Sequence, residues 1–132
     1  MDLKVVTTSE ELDGICRAFA ASPYVTVDTE FMRERTYWPI LCLVQLGRPQ
    51  FEGESDADWE RDGAVIVDPM AEGISLQPLF DLMADESVLK VFHAARQDVE
   101  IFHNLSGSVP VPLYDTQVAA VSYTHLTLPT KA

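Results

Sequence analysis

The stretch Val25-Thr-Val-Asp-Thr-Glu-Phe31 constrains this chain more than any other. Its β-branched residues alternate with polar ones, the pattern of a strand. Residues two apart in a strand point to the same face. Asp28 and Glu30 therefore leave one side of a sheet close together. Two carboxylates in that position are expected to repel, so that one would tend to keep its proton, and a bound divalent cation would remove the conflict. The pair reads as half of a metal site, and any fold around it needs a sheet with a face or edge open to an ion.

The remaining residues predict that sheet. Leu3–Thr7 reads as an edge strand. Thr8 or Ser9 offers an N-cap, with Glu10 and Glu11 in the first turn. Leu12, Ile15, Cys16 and Phe19 recur at helical spacing, which predicts a helix over 9–21, stopped by Ser22-Pro23. The acid-bearing strand runs from Tyr24 to Phe31. Residues 32–39 form a polar, aromatic loop, and Leu41–Leu46 and Ala64–Val67 are two further strands. Loop connections imply an antiparallel set. A helix over 75–84, a strand Val88–Phe92, a helix Arg96–Leu105, a strand Val111–Tyr114 and a helix opening at Thr116 follow. Strands alternating with helices imply parallel crossovers. The expected fold class is α/β, a mixed sheet in which antiparallel strands precede βαβ units.

Composition narrows the partners. With 132 residues, 47% apolar and 23% charged, the chain suits one soluble domain with a real core. It has no apolar run of about 18 residues, so no membrane span is expected. Met-Asp-Leu-Lys at the start lacks the features of a signal peptide, and a cytoplasmic protein is expected. Cys16 and Cys42 lack metal-ligand spacing and read as reduced, buried thiols. The net charge of −12 argues against a simple nucleic-acid-binding domain. Residues 52–62 hold six acids and one base and read as a solvated loop. Arg33, Arg35, Lys90 and Arg96 nevertheless lie near the acidic motifs, so a polyanionic substrate stays open if metal ions mediate.

Two further acids complete the candidate site. Asp98 opens the helix after the strand Val88–Phe92, and Asp115 ends the next strand. Strand ends and helix starts converge on one edge of an open α/β sheet, so Asp28, Glu30, Asp98 and Asp115 could face one crevice. Hard oxygen donors suit Mg²⁺ or Mn²⁺ rather than zinc. A pair of such ions could activate water and stabilise the leaving oxygen in phosphodiester hydrolysis. Spacing alone leaves plainer readings open. An aspartate at a strand end commonly forms a turn, and Asp115 would N-cap the helix at Thr116.

Three segments carry a resemblance. Residues 27–46, Val-Asp-Thr-Glu-Phe-Met-Arg-Glu-Arg-Thr-Tyr-Trp-Pro-Ile-Leu-Cys-Leu-Val-Gln-Leu, closely resemble the first exonuclease motif of the ribonuclease D family. Residues 92–102, Phe-His-Ala-Ala-Arg-Gln-Asp-Val-Glu-Ile-Phe, look like its second motif, and Leu113-Tyr-Asp-Thr-Gln-Val-Ala-Ala120 resembles the segment after it. The resemblance spans about residues 3–120. It implies the DEDD group of 3′–5′ exonucleases, a ribonuclease H-like fold and two-metal hydrolysis releasing nucleoside 5′-monophosphates. Asp28, Glu30 and Asp98 match three of the four family carboxylates. Asp115 matches a family position that is not the fourth ligand, and a supporting role is expected for it.

The family's fourth carboxylate belongs to a Tyr-x-x-x-Asp motif whose tyrosine orients the attacking water. No such motif follows Asp98: neither Tyr114 nor Tyr123 has an aspartate four residues on. Val-Ser-Tyr-Thr-His-Leu, residues 121–126, resembles a translated transposase sequencing adaptor (GTC TCT TAT ACA CAT CT in frame). The expected organisation is a partial exonuclease domain over 1–120 and a non-native tail over 121–132, which removes His125 from consideration.

Candidate substrate contacts are Thr29, Phe31, Arg33, Tyr37 and His93, with arginine meeting phosphate and the aromatic stacking on a base or sugar. Gln45, inside an apolar strand, is expected to be a buried amide held by structural hydrogen bonds. The expected activity is a 3′–5′ exoribonuclease acting as a monomer on RNA 3′ ends such as tRNA precursors. The alternatives are a DNA 3′–5′ proofreading-type exonuclease and a non-catalytic nucleic-acid-binding module. The residues 33–39, Arg-Glu-Arg-Thr-Tyr-Trp-Pro, favour the RNA enzyme over the DNA one through their resemblance to ribonuclease D.

Overall fold

The computed structural model describes residues 3–32 and 40–118. Arg33, Arg35, Tyr37, Trp38 and the tail over 121–132 lie outside them. Ten elements run in order: β1 (Lys4–Val6), α1 (Ser9–Phe19), β2 (Tyr24–Met32), β3 (Ile40–Gly47), α2 (Asp56–Asp62), β4 (Ala64–Val67), α3 (Gln77–Ala84), β5 (Leu89–Phe92), α4 (Arg96–Ser106) and β6 (Leu113–Asp115). They build one six-stranded sheet in the order β1-β4-β3-β2-β5-β6. β3 is antiparallel to both β2 and β4. β1–β4, β2–β5 and β5–β6 are parallel. The expected mixed sheet is present, with β2 at its centre.

One face of the sheet holds the core. Along β2, Val25, Val27 and Thr29 are buried while Tyr24, Thr26, Asp28 and Glu30 are exposed. Val25 and Val27 join Val44, Leu46, Val65 and Val67 under the buried sides of α1 (Leu12, Cys16, Phe19) and α3 (Leu79, Leu82, Met83). Helix α1 starts where Thr8 accepts a hydrogen bond from Glu11 N at 3.2 Å. Helix α4 lays Ile101 and Phe102 into the same core. The Phe102 ring meets Phe92 and Phe80 edge-on, with centroids 6.4 and 6.5 Å away. Offset and edge contacts of this kind add to the burial itself. The opposite face around β2 and β3 stays open.

Three expectations change. Residues 52–62 are not all loop: Ser55 accepts from Asp58 N at 3.1 Å and starts α2, with Asp56 and Asp58 in its first turn and Arg61 in its last. Those charges suit the helix dipole, so an acidic run becomes a helix with no buried residue. Trp59 donates to the Arg48 carbonyl at 2.9 Å and packs so close to Gly63 that a Cβ there would sit 2.5 Å from the indole. Lys90 is not a cation beside the acids. It lies fully buried opposite Val25, donating to the carbonyls of Val111 (2.8 Å) and Asp85, and burial lowers its pKa. Cys42 is only half-buried, whereas Cys16 is buried and its thiol is pushed up to about 12, chiefly by desolvation.

Candidate active site

Strand alternation sets the site. β2 turns Asp28 and Glu30 to the open face, and Thr29 between them to the core face. Directly across from Asp28, β3 presents Gln45. Opposed residues of an antiparallel pair share a face, so Gln45 is exposed beside Asp28. The expected buried amide is corrected: the apolar neighbours of Gln45 point the other way. Asp28 and Gln45 line a concavity of about 500 Å³ with Thr26, His93 and Thr116.

Asp98 comes to β2 from the covered side. It stands in the first turn of α4, where the helix dipole favours a carboxylate, and only 7% of its surface is exposed. The Thr29 hydroxyl donates to Asp98 Oδ1 across a separation of 69 residues. Burial raises the Asp98 pKa most, the Thr29 bond opposes that, and the negative charges of Asp28 and Asp115 add to the rise. Asp98 is thus a carboxyl that resists ionisation beside other acids.

The remaining candidates fall into place around these acids. Thr29, expected against substrate, has its hydroxyl committed to Asp98. Phe31 is half-buried against the core, just past an irregularity in the β2–β3 register between Glu30 and Phe31. His93 is exposed, with Nδ1 2.9 Å from Thr116 Oγ1. Asp115 accepts from Gln117 N at 2.9 Å, the expected cap, and also from Ala94 N and Ala95 N. Sequence reasoning missed the pairing of Thr29 with Asp98 and the role of Thr116. Neither has a local signal, because each bond spans more than 20 residues.

The acids fit a hard divalent ion in kind: all donors are carboxylate oxygens, one of them buried and repelled by its neighbours. The expected single crevice of four acids is not drawn together, however. Among the described residues no three acids or other ligating side chains stand close enough to hold an ion. Alternation explains this, since Asp28 and Glu30 leave one face of β2 while Asp98 meets Thr29 on the other.

The fold thus sets an acid-bearing central strand in a mixed sheet, a further acid on the later β5–α4 unit and a carboxylate-only donor set. The family model for 3′–5′ exonuclease matches residues 3–125. The chain is 56% identical over 116 residues to the ribonuclease D of Jannaschia sp., a match covering 88% of this chain and 28% of that protein. It therefore belongs to the ribonuclease D family of 3′–5′ exonucleases. The crystal structure of Escherichia coli RNase D, described as an exoribonuclease involved in structured RNA processing, superposes with a TM-score of 0.74 at 38% identity, covering 91% of this chain and 28% of that one. Trypanosoma brucei RNase D in complex with RNA U12 shares the fold at a TM-score of 0.69 and 21% identity, over 88% of this chain and 38% of that one. The chain spans little more than a quarter of the length of the curated relatives it matches. Exonucleases of this family use divalent metal ions.

Proposed function

We propose that this chain carries the Asp28/Glu30/Asp98 part of a 3′–5′ exoribonuclease centre that hydrolyses phosphodiesters at RNA 3′ ends, tRNA precursors included, and releases nucleoside 5′-monophosphates. The observation that carries the reading is the placement of Asp28 and Glu30 on the open face at the C-terminal half of β2, with Asp98 packed behind them on Thr29. The two RNase D structures above support RNA as substrate, one through its processing of structured RNA and one through its bound RNA. Mg²⁺ or Mn²⁺ suits the donors, and such ions, when bound, lower the pKa of water and neutralise charge on phosphate oxygens.

The chain's own residues divide the remaining work. Asp28 and Glu30 present oxygens toward solvent, where a phosphate could reach them only with a cation between. Asp98 offers an oxygen whose partner is already held by Thr29, so its rotamer is set before any ion arrives. Thr26, Gln45 and His93 give the concavity beside Asp28 polar walls that could meet a sugar or base.

Digestion of 3′-labelled RNA with Mn²⁺, and of a matching DNA, tests the reading. The 132-residue chain, with no Tyr-x-x-x-Asp after Asp98, is expected to cut little. The same chain extended through that motif is expected to shorten RNA from its 3′ end, and Asp28→Asn is expected to stop it. Robust Asp28-dependent digestion by the 132-residue chain would overturn the need for the third motif. Preference for DNA would move the substrate to the proofreading class.

A further inference from the structure

Asp115 makes more hydrogen bonds than a helix cap requires. It ends the edge strand β6, yet its carboxylate reaches the turn between β5 and α4. Oδ1 accepts from Ala94 N at 3.0 Å and Oδ2 from Ala95 N at 2.7 Å. Oδ1 also accepts from Gln117 N at 2.9 Å and from Val118 N at 3.5 Å. These backbone donors, Ala95 first, hold the carboxyl below its ordinary range.

The turn it reaches needs such a partner. Ala94 has φ of +56°, a left-handed conformation that alanine enters only at a cost. Ala95, the N-cap of α4, offers no side-chain acceptor to the helix start. A carboxylate from 20 residues away supplies the turn with the acceptors its own residues lack. Thr116 fastens the same turn from beside Asp115, donating to the Phe92 carbonyl at 3.2 Å and meeting His93 Nδ1 at 2.9 Å. Asp98 follows Ala95 within one helical turn. An α-helix is stiff over that distance, so a shift or rotation of the entry passes directly to Asp98. Asp98 in turn has little freedom, buried as it is against Thr29.

We propose that Asp115 is a positioning residue for Asp98: by holding the left-handed turn at Ala94 it fixes the entry of α4, and so sets the Asp98 carboxylate against Thr29. The proposal deepens the exonuclease reading and rests on Asp98 being a metal-binding group there. It differs from simple stapling of β6, because a staple would leave Asp98 where it is when cut.

The test uses ¹⁵N-labelled 132-residue chain and its variants Asp115→Ala, Asp115→Asn and the double variant Asp115→Ala with Ala94→Gly. Amide resonances of Thr29 and Asp98 report placement, and Mn²⁺ titration reports binding through paramagnetic broadening. Asp115→Ala is expected to move the Thr29 and Asp98 resonances while those of β1, β3 and β4 stay, and to weaken Mn²⁺ by about tenfold or more. Ala94→Gly on that background is expected to restore both in part, because glycine takes positive φ without a Cβ penalty. Asp115→Asn, which keeps one acceptor oxygen, is expected to fall between. Unmoved Thr29 and Asp98 resonances in Asp115→Ala overturn the proposal, as does unchanged Mn²⁺ affinity once they have moved. If Asp115→Ala fails to fold, Asp115→Asn decides on the same two readings. Absence of Mn²⁺ broadening in the unsubstituted chain removes the metal reading instead, and the resonances still decide whether Asp115 places Asp98.

Discussion

Two charged regions of this molecule are built on opposite rules. At the start of the β3–β4 connection, Arg48 meets Glu54 through two parallel hydrogen bonds of 2.8 Å. Arg48 lies 4.0 Å over the Phe51 ring and 5.8 Å over Phe19. Both charged side chains are largely shielded, at 5% and 13% exposure, and each neutralises the other. At the other end, Asp98 is buried behind β2, and its pKa is raised first by that burial and further by the charges of Asp28 and Asp115. The first region uses charge to hold the fold. The second buries a carboxyl within the field of other acids, which costs stability, as perturbed groups at functional sites commonly do.

The contrast is sharpest under substitution. Asp98→Asn keeps an oxygen for the Thr29 hydroxyl and removes a carboxyl that burial disfavours. It is expected to cut RNA digestion by the chain extended through the third motif by at least about 100-fold. Its thermal midpoint should stay level or rise. A fall in the midpoint with activity retained would make Asp98 a structural acid. Arg48→Met is expected to do the reverse. It strands Glu54 and loses the stacking on Phe51, lowering the midpoint by roughly 5 °C or more, while Mn²⁺ broadening at Asp28 stays as it was. Equal loss of both would erase the division between the regions.

A smaller effect separates them by pH. Glu54 is depressed to about 2, first by the Arg48 hydrogen bond and then by the Phe51 N–H. A carboxylate lowered in the folded state binds fewer protons there than when unfolded. Its contribution is complete above the ordinary carboxylate range and is lost as pH falls toward about 2. Asp98 has the opposite sign: raised in the folded state, it favours folding below its folded pKa and loses that advantage as pH rises from the ordinary range through it. Urea midpoints measured from neutral pH down to about pH 2 should therefore show a shallower acid-limb decline in Glu54→Gln, with Asp62, Asp85 and Asp115, also lowered, keeping the rest. Asp98→Asn should instead flatten the change just above the ordinary carboxylate range. Identical curves for the two variants would show that neither shift is specific to its region.

Much of this was legible in sequence where the signal is local. Period-two alternation in Val25–Phe31 placed Asp28 and Glu30 on one face, and β2 shows it. Helical spacing of Leu12, Cys16 and Phe19 found the buried side of α1. Reading failed where a residue's surroundings are distant in sequence. Gln45 looked buried because its chain neighbours are apolar, but register with β2 put it opposite Asp28. Lys90 looked like a cation near the site, and sheet pairing put it in the core. Residues 52–62 looked like a loop because charge hides the short helix that Ser55 and Trp59 make possible.

By itself, then, the sequence determined which residues could form a metal-binding strand, because alternation acts between neighbours and needs no partner element. It also determined the βα order that delivers Asp98 and Asp115. Only the tertiary structure decided what those acids meet. Thr29 reaches Asp98 and Asp115 reaches the Ala94 turn through bonds that close loops of 69 and about 20 residues. Such contacts depend on where the core places α4 and β6, and burial of Ile101 and Phe102 beside Phe92 is what holds α4 against the sheet.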